Sequence, residues 1–219
     1  MNTEIDNSEN LGQQNHKTLY TPSLERDSCG VGLIADLDAV PTHYIVDSAL
    51  TILENMKHRG ASGAEENTGD GAGILIQLPH ELYKSEADIN KIKLPKKGKY
   101  GVGMFFFPKD KTHQKYCYDV IDKYCMANDF KVIFDRLVPT DNSMIGSSAK
   151  HTEPEMRQLF FQTTGFNNKD IERRFYFLRN QILKEIYFSD KELTDDFYIS
   201  SLSSKTIVYK GMLTATQLR

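Results

Sequence analysis

Six apolar runs, each only long enough for a β-strand, are set apart by stretches whose apolar residues recur at helical spacing. The runs cover residues 29–35, 74–78, 102–107, 131–138, 197–202 and 206–209, and Pro79, Pro108 and Pro139 close three of them. Proline ends a strand because it has no N–H to give to a ladder. Between the first two runs, Ile45, Val46, Ala49, Leu50, Leu53 and Met56 form the apolar stripe of an amphipathic helix, with Thr42 as N-cap and Gly60 as its stop. A second helix carries Cys117 and Cys125, eight residues apart and so near one face. A third, over 170–187, is periodic through Ile171, Phe175, Leu178, Ile182 and Ile186. Residues 155–162 suit either state, and a Ser203-Ser204-Lys205 turn predicts a hairpin of the last two runs. Strands grouped in pairs between helices imply sheets with helices packed outside them, rather than a simple parallel βαβ repeat.

The first 28 residues are a different material. They are rich in Asn, Gln, Glu and Asp, and Ile5, Leu11 and Leu24 follow no sustained period. Such a stretch buries too little surface to offset its ordering entropy, so it reads as a tail or removable pro-segment. Order is expected to begin at Cys29. Over the whole chain of 219 residues, the net charge of −3 gives no general attraction to nucleic acid. No apolar run approaches the roughly 18 residues of a membrane span, and no basic then apolar leader opens the chain. A cytoplasmic protein without nucleic-acid or membrane partners is the expectation.

The three cysteines, Cys29, Cys117 and Cys125, are an odd number without the close pairing of zinc or redox sites. Cys117 and Cys125 suit core packing. Cys29 stands where the polar tail gives way to an apolar run, and Gly30 and Gly32 leave room beside it. A cysteine nucleophile needs a base, since a free thiol ionises at about pH 8.5. No motif ties a histidine to Cys29. Removal of residues 1–28 would supply an α-amino base of pKa near 8 on the same residue; the alternative is a core cysteine at a strand edge. Five of the 14 glycines fall within residues 60–73, which predicts tight turns and close backbone approach. A phosphate loop is disfavoured there, because the glycines precede a strand and no Gly-Lys-Ser or Gly-Lys-Thr follows. Asp70 and Arg59 are charged residues of this region that could face a ligand or satisfy local backbone groups.

Glu25-Arg-Asp-Ser-Cys-Gly-Val-Gly32, Met56-Lys-His-Arg-Gly-Ala61 and Asn67-Thr-Gly-Asp-Gly-Ala-Gly-Ile-Leu75 together resemble the opening of the glutamate synthase large-subunit family. Arg136-Leu-Val-Pro139, the 172–179 block and the 201–213 block extend the resemblance over nearly everything after residue 19. It implies a class II glutamine amidotransferase domain of N-terminal-nucleophile type, α+β, with a four-layer αββα sandwich incomplete at its C-terminal side. It implies residues 1–28 as pro-segment and 29–219 as the front of that domain. Cys29 would be the catalytic nucleophile and Arg59 a substrate-binding residue, with glutamine as substrate. FMN and an iron–sulfur cluster would belong to the remainder of the large subunit, with a small subunit as a further partner. The family's His-x-Arg and Asn-Gly motifs, which clamp glutamine and form the oxyanion hole, are absent from these 219 residues, so little activity is expected of them alone. An independent amide hydrolase and a non-catalytic binding module are the alternatives.

Overall fold

The computed structural model of the chain describes residues 29–57, 65, 67–163, 170–189 and 196–219. Within them, strands and helices follow in the order α1 (His43–Asn55), β1 (Ala72–Gln77), α2 (His80–Ile89), β2 (Tyr100–Phe107), α3 (Lys111–Ala127), β3 (Phe130–Leu137), α4 (Ser147–Thr152), β4 (Glu155–Thr163), α5 (Ile171–Ser189), β5 (Tyr198–Ser203), β6 (Thr206–Gly211) and α6 (Ala215–Leu218). The architecture is α+β with antiparallel sheets. A four-stranded sheet has the order β3-β4-β2-β5, and β1 pairs with β6 in a second, two-stranded sheet.

The larger sheet is buried on both faces, which is why β2 reads Tyr-Gly-Val-Gly-Met-Phe-Phe-Phe without a polar alternate. Phe105, Phe107, Leu159 and Phe161 turn one way, onto Cys117, Val120 and Ile121 of α3 and Phe175, Leu178 and Ile182 of α5. Val102, Met104, Phe134 and Phe160 turn the other way and meet Ile207 of β6, with Ile76 and Tyr209 packed alongside. Each fully buried aromatic or aliphatic side chain of this kind contributes about 1.5–3 kcal/mol by leaving water. α1 lies against β1 of the small sheet and against α6.

Local chemistry explains the joints. Asp110 caps α3 by accepting from the backbone N–H groups of Thr112 and His113, both at 2.9 Å. Its far end turns into β3 through Asp129 at φ 56°, a left-handed conformation that Asp tolerates better than most residues. α2 follows Pro79 and buries only Tyr83 and Ala87.

Two expectations are corrected. Residues 29–35 form no strand; Val31 and Leu33 are each 91% exposed. An apolar run becomes a strand only where a neighbouring edge completes its hydrogen bonds, and among the described residues none runs beside it. The last two strands are also not an ordinary hairpin, since β5 is an edge of the large sheet whereas β6 belongs to the small one. Side chains bridge them instead. Ser200 Oγ donates to the Val208 carbonyl at 3.3 Å, and the Val208 N–H donates to Ser201 Oγ at 3.1 Å. The turn between them is held by Glu172, whose carboxylate accepts from Ser203 Oγ and from the N–H and Oγ of Ser204.

Candidate functional site

Cys29 is exposed, whereas Cys117 and Cys125 are buried on α3. Burial pushes both α3 thiols up to about 12, so neither supplies thiolate near neutral pH. The chain after Cys29 comes close to α1 at Gly32, where a side chain would collide with Ile52 and crowd Met56. The glycine there makes room for α1, whereas its spacing after Cys29 suggests room beside that thiol. Arg59 lies outside the described residues, so its relation to Cys29 has no geometry to report.

The described glycines of the glycine-rich stretch, Gly69, Gly71 and Gly73, sit where the backbone packs closely or turns. A Cβ on Gly69 would strike the backbone of Leu213 and Thr214, and Gly71 has φ +131°, a conformation nearly closed to other residues. Glu65 ties the loop's start to α4. Its carboxylate accepts from Ser147 Oγ at 2.6 Å, Thr68 Oγ1 at 3.0 Å and the Ser148 N–H at 3.3 Å, and these bonds, that of Ser147 foremost, hold it below the usual carboxylate range.

The chain's last residues clamp the same region. Gln217 Nε2 donates to the carbonyls of Asn67 and Met144 at 3.0 and 2.9 Å. Arg219 reaches α1, donating to Glu54 Oε1 at 2.8 Å and Thr51 Oγ1 at 2.9 Å. Residues 65 and 67–73, α1 and residues 213–219 are therefore one assembly, although the sequence separates them by about 150 positions.

Beside this assembly a groove of about 1340 Å³ opens between the small sheet and one end of the large one. Ile74, Leu75, Met104, Phe106 and Tyr209 give it an apolar floor, and Asp70 stands at its rim. Asp70 is exposed there. Cys29 does not line the groove, so the structure does not bring the expected nucleophile and this cleft together.

One set of residues escaped the sequence reading. Glu86, Arg136, Gln158, Tyr209 and Tyr83 form a continuous polar chain through the otherwise apolar space between the sheets. Arg136 donates to Glu86 at 2.9 Å and to Gln158 Oε1 at 3.1 Å. Gln158 in turn donates to the Tyr209 hydroxyl at 3.0 Å, which shares a hydrogen bond with Tyr83 at 3.2 Å. The available signal was an arginine inside the apolar run 131–138 and a glutamine directly before Leu159-Phe160-Phe161.

Among the described residues, no group of three or more His, Cys, Asp or Glu side chains could hold a metal ion, and no helix is long and apolar enough to cross a membrane. A profile for the class-II glutamine amidotransferases matches residues 29–219. The ferredoxin-dependent glutamate synthase of Pyropia yezoensis is 36% identical over 93% of this chain and 13% of its own length. The glutamate synthase [NADPH] large chain of Bacillus subtilis is 39% identical over 91% of this chain and 13% of its own length. The glutamate synthase [NADH] of Saccharomyces cerevisiae is 36% identical over 91% of this chain, here spanning 10% of that protein.

Proposed function

The chain belongs to the class-II glutamine amidotransferases, and from that premise we propose that it is the glutamine-hydrolysing portion of a glutamate synthase with Cys29 as nucleophile. One observation carries the reading: the family match begins at Cys29 itself, the exposed one of the three cysteines. A second supports it. Relatives named for ferredoxin, NADPH and NADH match this region about equally well, as expected of the part that handles nitrogen rather than the electron donor.

In this reading, residues 1–28 are removed and Cys29 becomes the first residue. Its amine accepts the thiol proton, and the thiolate sulfur bonds to the side-chain amide carbon of glutamine. The C–N bond then breaks, and the amine returns the proton to the departing ammonia. Water attacks the γ-glutamyl thioester, placing hydroxyl on the acyl carbon and a proton on the sulfur, and glutamate leaves. Arg59 is proposed as a contact for the substrate. The layer order is proposed as αββα, supported by the contact of α1 with β1 of the small sheet and by the packing of α3 and α5 on the large one.

FMN and an iron–sulfur cluster belong, in this proposal, to the remainder of the synthase. The residues here do not fit a cluster: two of the cysteines are buried on α3 and the third is the proposed nucleophile. The ammonia would pass to that remainder for reductive transfer to 2-oxoglutarate. These 219 residues contain neither His-x-Arg nor Asn-Gly. Oxyanion donors are commonly worth about 10²- to 10³-fold in rate, so slow turnover by these residues alone is part of the proposal.

The test is a protein produced with Cys29 as its first residue, treated with a diazoketone analogue of glutamine and mapped by mass. The expected result is a single adduct on Cys29, suppressed by glutamine and absent in Cys29→Ser. Adducts on Cys117 or Cys125, or a Cys29 adduct indifferent both to glutamine and to the presence of residues 1–28, would overturn the assignment.

A further inference from the structure

The helix α5 is apolar on two opposite faces. Ile171, Phe175, Leu178, Ile182 and Ile186 are buried against the large sheet and α3. The opposite stripe carries Tyr176, Phe177, Tyr187 and Phe188, which are 64%, 51%, 46% and 83% exposed. A cluster of exposed aromatic side chains on one surface commonly marks an interaction site. The neighbouring α3 covers the same sheet yet presents an ordinary solvated exterior, with Lys115 paired to Asp119 at 2.6 Å. The aromatic stripe is therefore not a requirement of this layer.

Charge narrows the occupant. The stripe's charged members are the exposed Arg173, whose guanidinium lies 5.9 Å from the Phe177 ring centroid, and Lys184. The helix's two carboxylates are engaged elsewhere: Glu172 holds the β5–β6 turn, and Glu185 accepts from Lys123 at 2.6 Å and Tyr124 at 2.8 Å. Apart from Asn180, whose amide bonds back to the Tyr176 carbonyl at 2.7 Å, what remains outward is aromatic and cationic, and aromatic residues and arginine are enriched at interfaces. A second copy laid face to face meets only cations in either direction, Arg173 against Arg173 or Arg173 against Lys184. Such like-charge contacts oppose pairing. A large partner is at hand in the relatives, where the matched region is 13% of the polypeptide and the rest must hold it in place.

We propose that the outer face of α5 is a docking surface for an acidic, apolar-bearing surface on the remainder of a glutamate synthase polypeptide. The proposal rests on the reading of this chain as the amidotransferase portion of such an enzyme. Tyr176, Phe177 and Phe188 are its anchors, and Arg173 and Lys184 select carboxylates.

The experiment places this whole chain in the Bacillus subtilis large chain in exchange for the matching region, with a photo-crosslinking phenylalanine at Tyr176 or, as control, at Asp119 on α3. Diazoketone labelling of Cys29 is measured on the same samples. The expected outcome is crosslinks from position 176 to an acidic segment outside this chain, in at least tenfold higher yield than from position 119. Arg173→Glu with Lys184→Glu should cut that yield at least tenfold and leave Cys29 labelling intact. Crosslinks confined to this chain or to a second copy, or equal yields from both positions, would overturn the docking surface. If Cys29 labels normally in that case, the docking proposal alone has failed; if position 176 crosslinks as expected and Cys29 does not label, the functional reading has failed instead.

Discussion

Gln158 Nε2, on a residue of β4 with no exposed surface, donates to the Tyr209 hydroxyl of β6 at 3.0 Å and so joins the two sheets through their shared core. The amide's other end accepts from Arg136 at 3.1 Å, so both halves of the side chain are used. A buried polar chain of this kind is stable only when complete, because each orphaned member keeps its desolvation cost. Gln158→Leu therefore leaves both Arg136 and Tyr209 short of a partner. It should cost about 2–4 kcal/mol in denaturant unfolding, and Tyr209→Phe, which takes a partner from both Gln158 Nε2 and the Tyr83 hydroxyl, should cost a similar amount. The double variant should be less destabilised than the sum. Strict additivity would show that the two residues do not act as a unit.

Glu172 makes the second polar link, from the start of α5 to the turn where the chain crosses between sheets. It accepts from Ser203 Oγ at 2.8 Å and from the Ser204 N–H at 2.7 Å. Hydrogen bonds to a charged group are worth about 1.5–3 kcal/mol each. Glu172→Ala should thus lower stability by about 2 kcal/mol or more, with Glu172→Gln intermediate. Amide exchange should speed up at Ser204, Lys205 and Thr206 before it does in β2. Uniform acceleration across the large sheet would argue that Glu172 acts globally rather than on the turn.

Gly69 packs against the backbone of Leu213 and Thr214, where a methyl group has no space. Backbone cannot swing aside as a side-chain tip can, so Gly69→Ala should cost about 1–3 kcal/mol. The expected signature is local. Cleavage by a nonspecific protease near residues 213–219 should rise as the Gln217 and Arg219 contacts loosen, while the α3 and α5 layer stays protected. Unchanged protection of that segment would contradict the close approach.

How much of this was legible in the sequence depended on whether the deciding interaction was local. α5 announces itself because it buries one stripe, α1 because its apolar residues keep the helical period although only Leu50 is buried, and β2 because both of its faces are buried. α2 was missed because its buried face is only Tyr83 and Ala87 within a charged stretch. β4 stayed ambiguous because Leu159, Phe160 and Phe161 are all buried, which erases both the two-residue and the helical period. The β5–β6 error concerns sheet membership, which no turn sequence encodes. For the candidate site, the composition change beside Cys29 singled it out as a candidate, and the structure adds that it is exposed. The polar chain was not legible, since its five members sit on four elements between residues 83 and 209.

Cys117 and Cys125 make the alkaline limb of stability predictable. In the unfolded chain a thiol ionises near 8.5, whereas burial in the fold pushes both up to about 12. Above about pH 8.5 the unfolded state has released protons that the folded state still holds. The thiols' contribution is therefore complete below that pH and is lost as pH rises toward 12. Tyr100, pushed up to about 12 chiefly by burial and then by the charge of Glu81, adds to the same decline from about pH 10. Each such group can contribute a slope of at most about 1.4 kcal/mol per pH unit. Replacing both cysteines with alanine should lower stability at pH 7 through lost packing yet flatten the fall between pH 8.5 and 10. Unfolding free energies measured across that range for both proteins test it. Parallel curves would mean that the α3 thiols meet water readily in the folded state, and that Cys29 is not set apart from them by accessibility.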